Sequence, residues 1–207
     1  MNCESLIFDI DGTLWDSRAL VAEGYNRQLH KEGLDHLMVT KDDLTPLFGK
    51  IIPEIADALF QSIPQPERYA LVDRCSAAQD RYLQENPCQV GYPKVKEVLA
   101  ELAKKYRLFI VSNSGVGYPE MCMEKLGIGE YITDHLCFGD TGTCKGQTIL
   151  RLMQKHHIKS AAYVGDTQGD YEATVEAGIP FLWAAYGFGK PEHWDAKIEQ
   201  FSDLLDL

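Results

Sequence analysis

Apolar residues follow two patterns along this chain, and the patterns alternate. Short unbroken runs occur at Leu6-Ile7-Phe8, Leu108-Phe109-Ile110-Val111, Ala161-Ala162-Tyr163-Val164 and Pro180-Phe181-Leu182-Trp183. Between the later runs lie amphipathic stretches at Tyr118–Leu126, 145–157 and Gln168–Ala177. Unbroken runs suit strands covered on both faces, as in a parallel sheet; a strand with one wet face would alternate. Strand, helix and strand in succession predict an α/β fold with a Rossmann-like parallel sheet.

Residues 17–91 break that rhythm. No convincing strand appears there, and Leu20, Val21, Tyr25 and Leu29 recur at helical spacing. Thr40 followed by Asp43 reads as a capping box ahead of Leu44 and Leu47. Further helical stretches are expected at 51–60 and 67–85, and residues 92–106 return as an amphipathic helix leading into the second strand. The division expected is therefore a core domain of residues 1–16 and 92–207, interrupted by an all-helical cap domain of residues 17–91. At roughly 70 residues the insert is the size of a four-helix bundle.

Composition narrows the function. The 207 residues are 45% hydrophobic and 25% charged, an ordinary folded balance rather than a disordered one. With 20 Lys+Arg against 31 Asp+Glu, the net charge is −11. A coat of nucleic acid or an anionic membrane surface needs a cationic face, so neither is expected as a partner. The apolar runs are far shorter than the roughly 18 residues of a membrane helix. The start Met1-Asn2-Cys3-Glu4 lacks the basic and apolar regions of a secretory signal, so a cytoplasmic location is expected. Six cysteines, at 3, 75, 88, 122, 137 and 144, form no C-x-x-C pair and are expected to be reduced and mostly buried.

The chemistry gathers where the strands end. The first run closes on Asp9-Ile10-Asp11-Gly12-Thr13, the second on Ser112-Asn113-Ser114, and the third on Gly165-Asp166, with Asp170 one helical turn further on; Lys145 opens a helix. Ligands of open parallel sheets bind beyond the carboxyl ends of the strands, which brings these residues to one cleft. Several carboxylates in one cleft repel unless a cation lies between them. Oxygen ligands without neighbouring His or Cys suit Mg²⁺. The Ser112 hydroxyl, the Lys145 ammonium and the backbone N–H groups of this region, including that of Asn113, can bind phosphoryl oxygens. One carboxylate can act as nucleophile and the other, two residues on, as general acid.

Residues 6–17, LIFDIDGTLWDS, resemble the first motif of the haloacid dehalogenase-like hydrolases in its DxDGT phosphatase form. Ser112, Lys145 and Gly165-Asp166-Thr167-Gln168-Gly169-Asp170 resemble the second, third and fourth motifs in order, and the resemblance covers essentially the whole chain. The helical insert is similar to the type 1 cap of phosphoglycolate phosphatase-like and β-phosphoglucomutase-like members. The resemblance implies that Asp9 is the nucleophile, forming an aspartyl-phosphate, and that Asp11 is the acid and base. It implies Mg²⁺ held by Asp9, the Asp11 backbone carbonyl and Asp166, with Asp170 a further ligand or an orienting carboxylate. Ser112, Asn113 and Lys145 would hold the phosphoryl group.

Departures are visible too. Gly146-Gln147 stands where Pro usually follows the motif lysine, and Trp15 stands where a small apolar residue is usual. Trp15 is read as packing at the hinge, with lining of the cleft as the alternative. Lys50, in Pro46-Leu47-Phe48-Gly49-Lys50 of the insert, is a candidate contact for an anionic substrate tail, with an ordinary solvated lysine as the equal alternative. The function expected is a Mg²⁺-dependent phosphatase acting on a small phosphorylated metabolite, a phosphoglycolate-like ester, sugar phosphate or nucleotide monophosphate, working as a monomer or weak dimer. A phosphomutase on the same scaffold is the alternative. A catalytically idle binding protein is a third reading, and it would be expected to have lost a motif residue.

Overall fold

The structure, a computed structural model, describes residues 3–207. The chain divides into two compact units, one ending its first segment at Asp16 and resuming as Gly91–Leu207, the other Ser17–Val90. Gly91 falls in the first unit rather than in the helical insert. Its backbone forms an antiparallel bridge with Trp15, and the Tyr92 N–H donates to the Leu14 carbonyl at 3.0 Å.

The Ser17–Val90 unit is helical, with α1 (Arg18–Lys31), α2 (Lys41–Leu44), α3 (Ile52–Leu59) and α4 (Gln65–Glu85). Helix α1 buries Val21, Tyr25 and Leu29, and α4 buries Leu71, Val72, Cys75 and Leu83. The two helices approach closely at Gly24, where a Cβ would lie 2.4 Å from the Gln79 Cα. Arg74 clamps Glu32 across them with bonds of 2.7 and 2.8 Å to its two carboxylate oxygens. The predicted capping box is present: Thr40 Oγ1 accepts from the Asp43 N–H, and Asp43 Oδ2 accepts from the Thr40 N–H. Helix α2 stops after one turn because Pro46 follows, in the tight turn Thr45–Leu47.

Among the described residues the other unit holds one six-stranded sheet: β1 (Ser5–Phe8), β2 (Arg107–Ser112), β3 (Ile132–Cys137), β4 (Ala161–Gly165), β5 (Phe181–Ala184) and β6 (Ala196–Ile198). The order is β3-β2-β1-β4-β5-β6 and every pairing is parallel. The expected Rossmann-like α/β fold is therefore present. Four strands coincide with the apolar runs. Strand β3 carries Thr133, Asp134 and His135, and β6 is three residues long at an edge, so neither has the signature of a strand covered on both faces. Chain order reverses direction between β1 and β4, which opens a crevice at their carboxyl ends.

The connecting helices are α5 (Val95–Leu102), α6 (Tyr118–Leu126), α7 (Phe138–Thr141), α8 (Lys145–Lys155) and α9 (Gln168–Ala177). Helix α5 is shorter than the expected 92–106 at both ends; it starts late because Lys94 before it takes a left-handed φ of 62°, and it stops at Leu102. Helix α8 likewise ends before His157, at φ 52°. Ile7, Phe109, Tyr163 and Phe181 of the sheet pack with Ile149 and Leu152 of α8, each buried side chain stabilising the unit by about 1.5–3 kcal/mol. Cysteines 75, 122 and 137 are buried, Cys88 and Cys144 are exposed, and all six thiols are free, so burial is less general than the sequence suggested. Among the described residues no helix is long and apolar enough to cross a membrane.

Candidate active site

Strand β1 delivers Asp9 to the crevice. The Asp9 N–H still donates to the Val164 carbonyl at 2.9 Å, so the residue sits as an extension of the sheet and its side chain is buried. The chain then turns back on itself: Thr13, Leu14 and Trp15 N–H groups all point at the Ile10 carbonyl. Gly12 takes φ 80° in that turn, and a Cβ there would lie 2.2 Å from Asp166 Oδ2. Only glycine allows both the conformation and the approach.

Lys145, at the start of α8, lies between two carboxylates. Its Nζ is 3.0 Å from Asp9 Oδ1 and 2.6 Å from Asp170 Oδ1, and all three side chains are buried. Burial draws the ammonium toward its neutral form, but the charges of Asp170 and Asp9 override this and hold it above the ordinary lysine range. Asp170 is also buried, which favours its acid form, yet Lys145 and the Thr167 donors keep it below the usual carboxylate range. Its Oδ2 accepts from the Asp166 N–H at 3.1 Å, the Thr167 N–H at 2.9 Å and the Thr167 hydroxyl at 2.8 Å. Asp170 thus fastens the β4–α9 turn and the lysine together.

The other two carboxyls carry the opposite bias. Burial, with the like charge of Asp170 against the pull of Lys145, pushes Asp9 up to about 7. Burial and the charges of Asp170 and Asp9 raise Asp166 well above its ordinary value, against a 2.6 Å bond from the Phe188 N–H. Asp166 Oδ1 is buried with no hydrogen-bond partner among the described residues. Asp9, Asp166 and Asp170 bring ligand oxygens within 4.8 Å of one another, and the cluster can hold a metal ion. An orphaned buried oxygen within a set of carboxylates is the chemistry a hard divalent cation satisfies.

Asp11 stands outside that cluster of three. Its Oδ1 accepts from the Trp15 indole N–H at 2.8 Å and from the Tyr118 hydroxyl at 2.9 Å. Trp15 is fully buried, as hinge packing implies, and in addition it holds this carboxylate. Ser112 ends β2 buried beside the loop that leads to α6, and its Oγ accepts from the Ser114 N–H at 3.3 Å; Asn113 lies between them. Gly146 has a local reason: a Cβ there would lie 2.2 Å from Glu176 Oε2, and Gln147 donates to Glu176 Oε1 at 2.5 Å. Lys50 lies in the helical unit, exposed after the turn Thr45–Leu47.

A parallel α/β core with a carboxylate–lysine cluster at its switch point describes a hydrolase of a recognisable kind. Residues 6–184 match the model of the haloacid dehalogenase-like hydrolases. A phosphoglycolate phosphatase of Photobacterium profundum is 31% identical over 220 residues, which cover 98% of this chain and 94% of that protein. A phosphoglycolate phosphatase of Aquifex aeolicus is 27% identical, over 98% and 95% of the two chains. The crystal structure of a predicted phosphoglycolate phosphatase from Haemophilus somnus shares the fold, with TM-score 0.85 at 22% identity over 100% and 98% of the chains. The chain belongs to the haloacid dehalogenase-like hydrolase family, and the expected hydrolase of phosphatase type agrees with these relatives.

Proposed function

We propose that the protein is a Mg²⁺-dependent phosphatase that hydrolyses a small phosphomonoester through an aspartyl-phosphate on Asp9. The observation that carries this reading is the Lys145 ammonium bonded to both Asp9 and Asp170, beside the orphaned oxygen of Asp166. Asp9, Asp166 and the Asp11 backbone carbonyl would hold Mg²⁺, with Asp170 as a supporting carboxylate, since both its oxygens are already engaged. Bound there, the cation offsets the acidic field and draws charge from the phosphoryl oxygens.

Asp9 attacks phosphorus as the bond to the leaving oxygen breaks, and that oxygen keeps the electron pair and takes a proton from Asp11. Asp11 then accepts a proton from the water that attacks the aspartyl-phosphate, releasing phosphate and restoring Asp9. Lys145, Ser112 and the Asn113 backbone hold the phosphoryl oxygens as their charge grows. The named relatives make phosphoglycolate the first substrate to try. Lys50 is the candidate partner for the carboxylate of such an ester.

The test is phosphate release from p-nitrophenyl phosphate and phosphoglycolate, with and without Mg²⁺. Release is expected only with the cation and is expected to vanish in Asp9→Asn; retained activity in that variant would remove Asp9 as nucleophile. Incubation with a hexose 1-phosphate separates the alternative: an isomeric sugar phosphate, in place of free phosphate, would identify a phosphomutase.

A further inference from the structure

The carboxylate of Asp11 is gripped from two directions. Trp15 reaches it from four residues down its own loop, and Tyr118 from the first turn of α6. Both donors end on the same atom, Oδ1. The two rings meet edge to face, 5.6 Å between centroids at 79°, and both are buried. Each ring therefore fixes the other, and neither donor can swing away without opening a packed contact.

An indole N–H can only donate, and the Tyr118 hydroxyl spends its proton on Asp11. Two incoming donors fill the lone pairs of Oδ1, so a proton carried by Asp11 resides on Oδ2. We propose that Trp15 and Tyr118 are positioning residues that orient Asp11 through Oδ1, so that the proton it gives and takes is carried on Oδ2. This rests on the phosphatase reading above, in which Asp11 protonates the leaving oxygen and later deprotonates water. As the Asp9–phosphorus bond forms and the ester bond breaks, the proton passes from Oδ2 to the leaving oxygen.

The consequence is a dependence on the leaving group. An alkoxide must be protonated as it departs, whereas p-nitrophenolate leaves without a proton. Tyr118→Phe, which keeps the ring and removes the hydroxyl, is expected to slow the first turnover of an alkyl phosphomonoester roughly tenfold, a part of what a general acid supplies. KM should stay unchanged. The first turnover of p-nitrophenyl phosphate should keep its rate, and a burst of p-nitrophenolate should appear because the later water step also uses Asp11. Trp15→Phe is expected to act the same way and the double variant more strongly; should Trp15→Phe fail to fold, Tyr118→Phe decides. Equal slowing on both esters, or no slowing on either, would overturn the proposal. A wild-type protein inactive on both esters would instead overturn the phosphatase reading. Wild-type activity with an Asp11→Asn defect on the alkyl ester and an unaltered Tyr118→Phe would defeat this inference alone.

Discussion

Asp166 combines deep burial, two neighbouring like charges and a bond to the Phe188 N–H on only one of its oxygens. Gly12 and Gly187 crowd it from either side, since a Cβ on Gly187 would lie 2.4 Å from the Asp166 Cβ. An asparagine there keeps an acceptor for Phe188 and removes the charge. Asp166→Asn is therefore expected to stabilise the metal-free protein by about 1 kcal/mol while abolishing activity, as measured by urea unfolding with chelator and by phosphate release. A loss of stability in that variant would show that the carboxylate is not under strain. The six residues Asp9, Asp11, Ser112, Lys145, Asp166 and Asp170 were legible in the sequence because each closes an apolar run or lies in the first turn of a helix. Trp15 and Tyr118 were not legible as partners of Asp11. A buried tryptophan reads as packing, and Tyr118 is 107 residues away along the chain, so only the folded sheet brings its hydroxyl there.

Among the elements, α1 and α4 set a limit that helix propensity alone would misjudge. Gly24→Ala improves propensity by about 1 kcal/mol. The added methyl, however, would collide with the α4 backbone at Gln79. A net destabilisation of about 1–3 kcal/mol is expected from overpacking, read from the thermal unfolding of the variant. The Arg74–Glu32 clamp across the same helices predicts a pH effect. Its hydrogen bonds hold the Glu32 carboxyl at about 2, below the ordinary 4.5. A lowered carboxylate contributes stability above its ordinary value and loses it as pH falls toward the folded one. Because both side chains remain partly solvated, Glu32→Gln should cost only about 0.5 kcal/mol at pH 7. The gap to wild type should narrow from about pH 4.5 downward, followed by melting temperature; a constant gap would mean that the ion pair contributes nothing. Legibility also divides at this scale. The four central strands announce themselves by unbroken apolar runs, while β3, with Asp134 and His135, and the three-residue β6 draw their order from neighbours already in place.

For the whole molecule, the net charge of −11 disfavours a broad anion-binding surface but leaves room for a local one. Lys145, buried between two carboxylates, shows how a single cation is placed where the acidic average would forbid it. The chain leaves the sheet unit after Asp16 and rejoins it at Gly91, and these two passes are hydrogen-bonded side by side. A chain lacking residues 17–90, with a short Gly-Ser link from Asp16 to Gly91, is therefore expected to fold into the six-stranded unit. Circular dichroism and a cooperative thermal transition would check this; a non-cooperative melt would show that the sheet unit depends on the helical one.

Trp15 joins those two passes with its backbone and Asp11 with its indole. One residue thus belongs both to the root of the inserted segment and to the pair of donors that grips Asp11. Thermodynamic linkage makes such sharing reciprocal. A change at the root is felt at Asp11 only to the extent of their coupling energy, and a change at Asp11 is felt at the root to that same extent. The insert's point of attachment and the setting of the Asp11 carboxylate are then coupled parts of one structure.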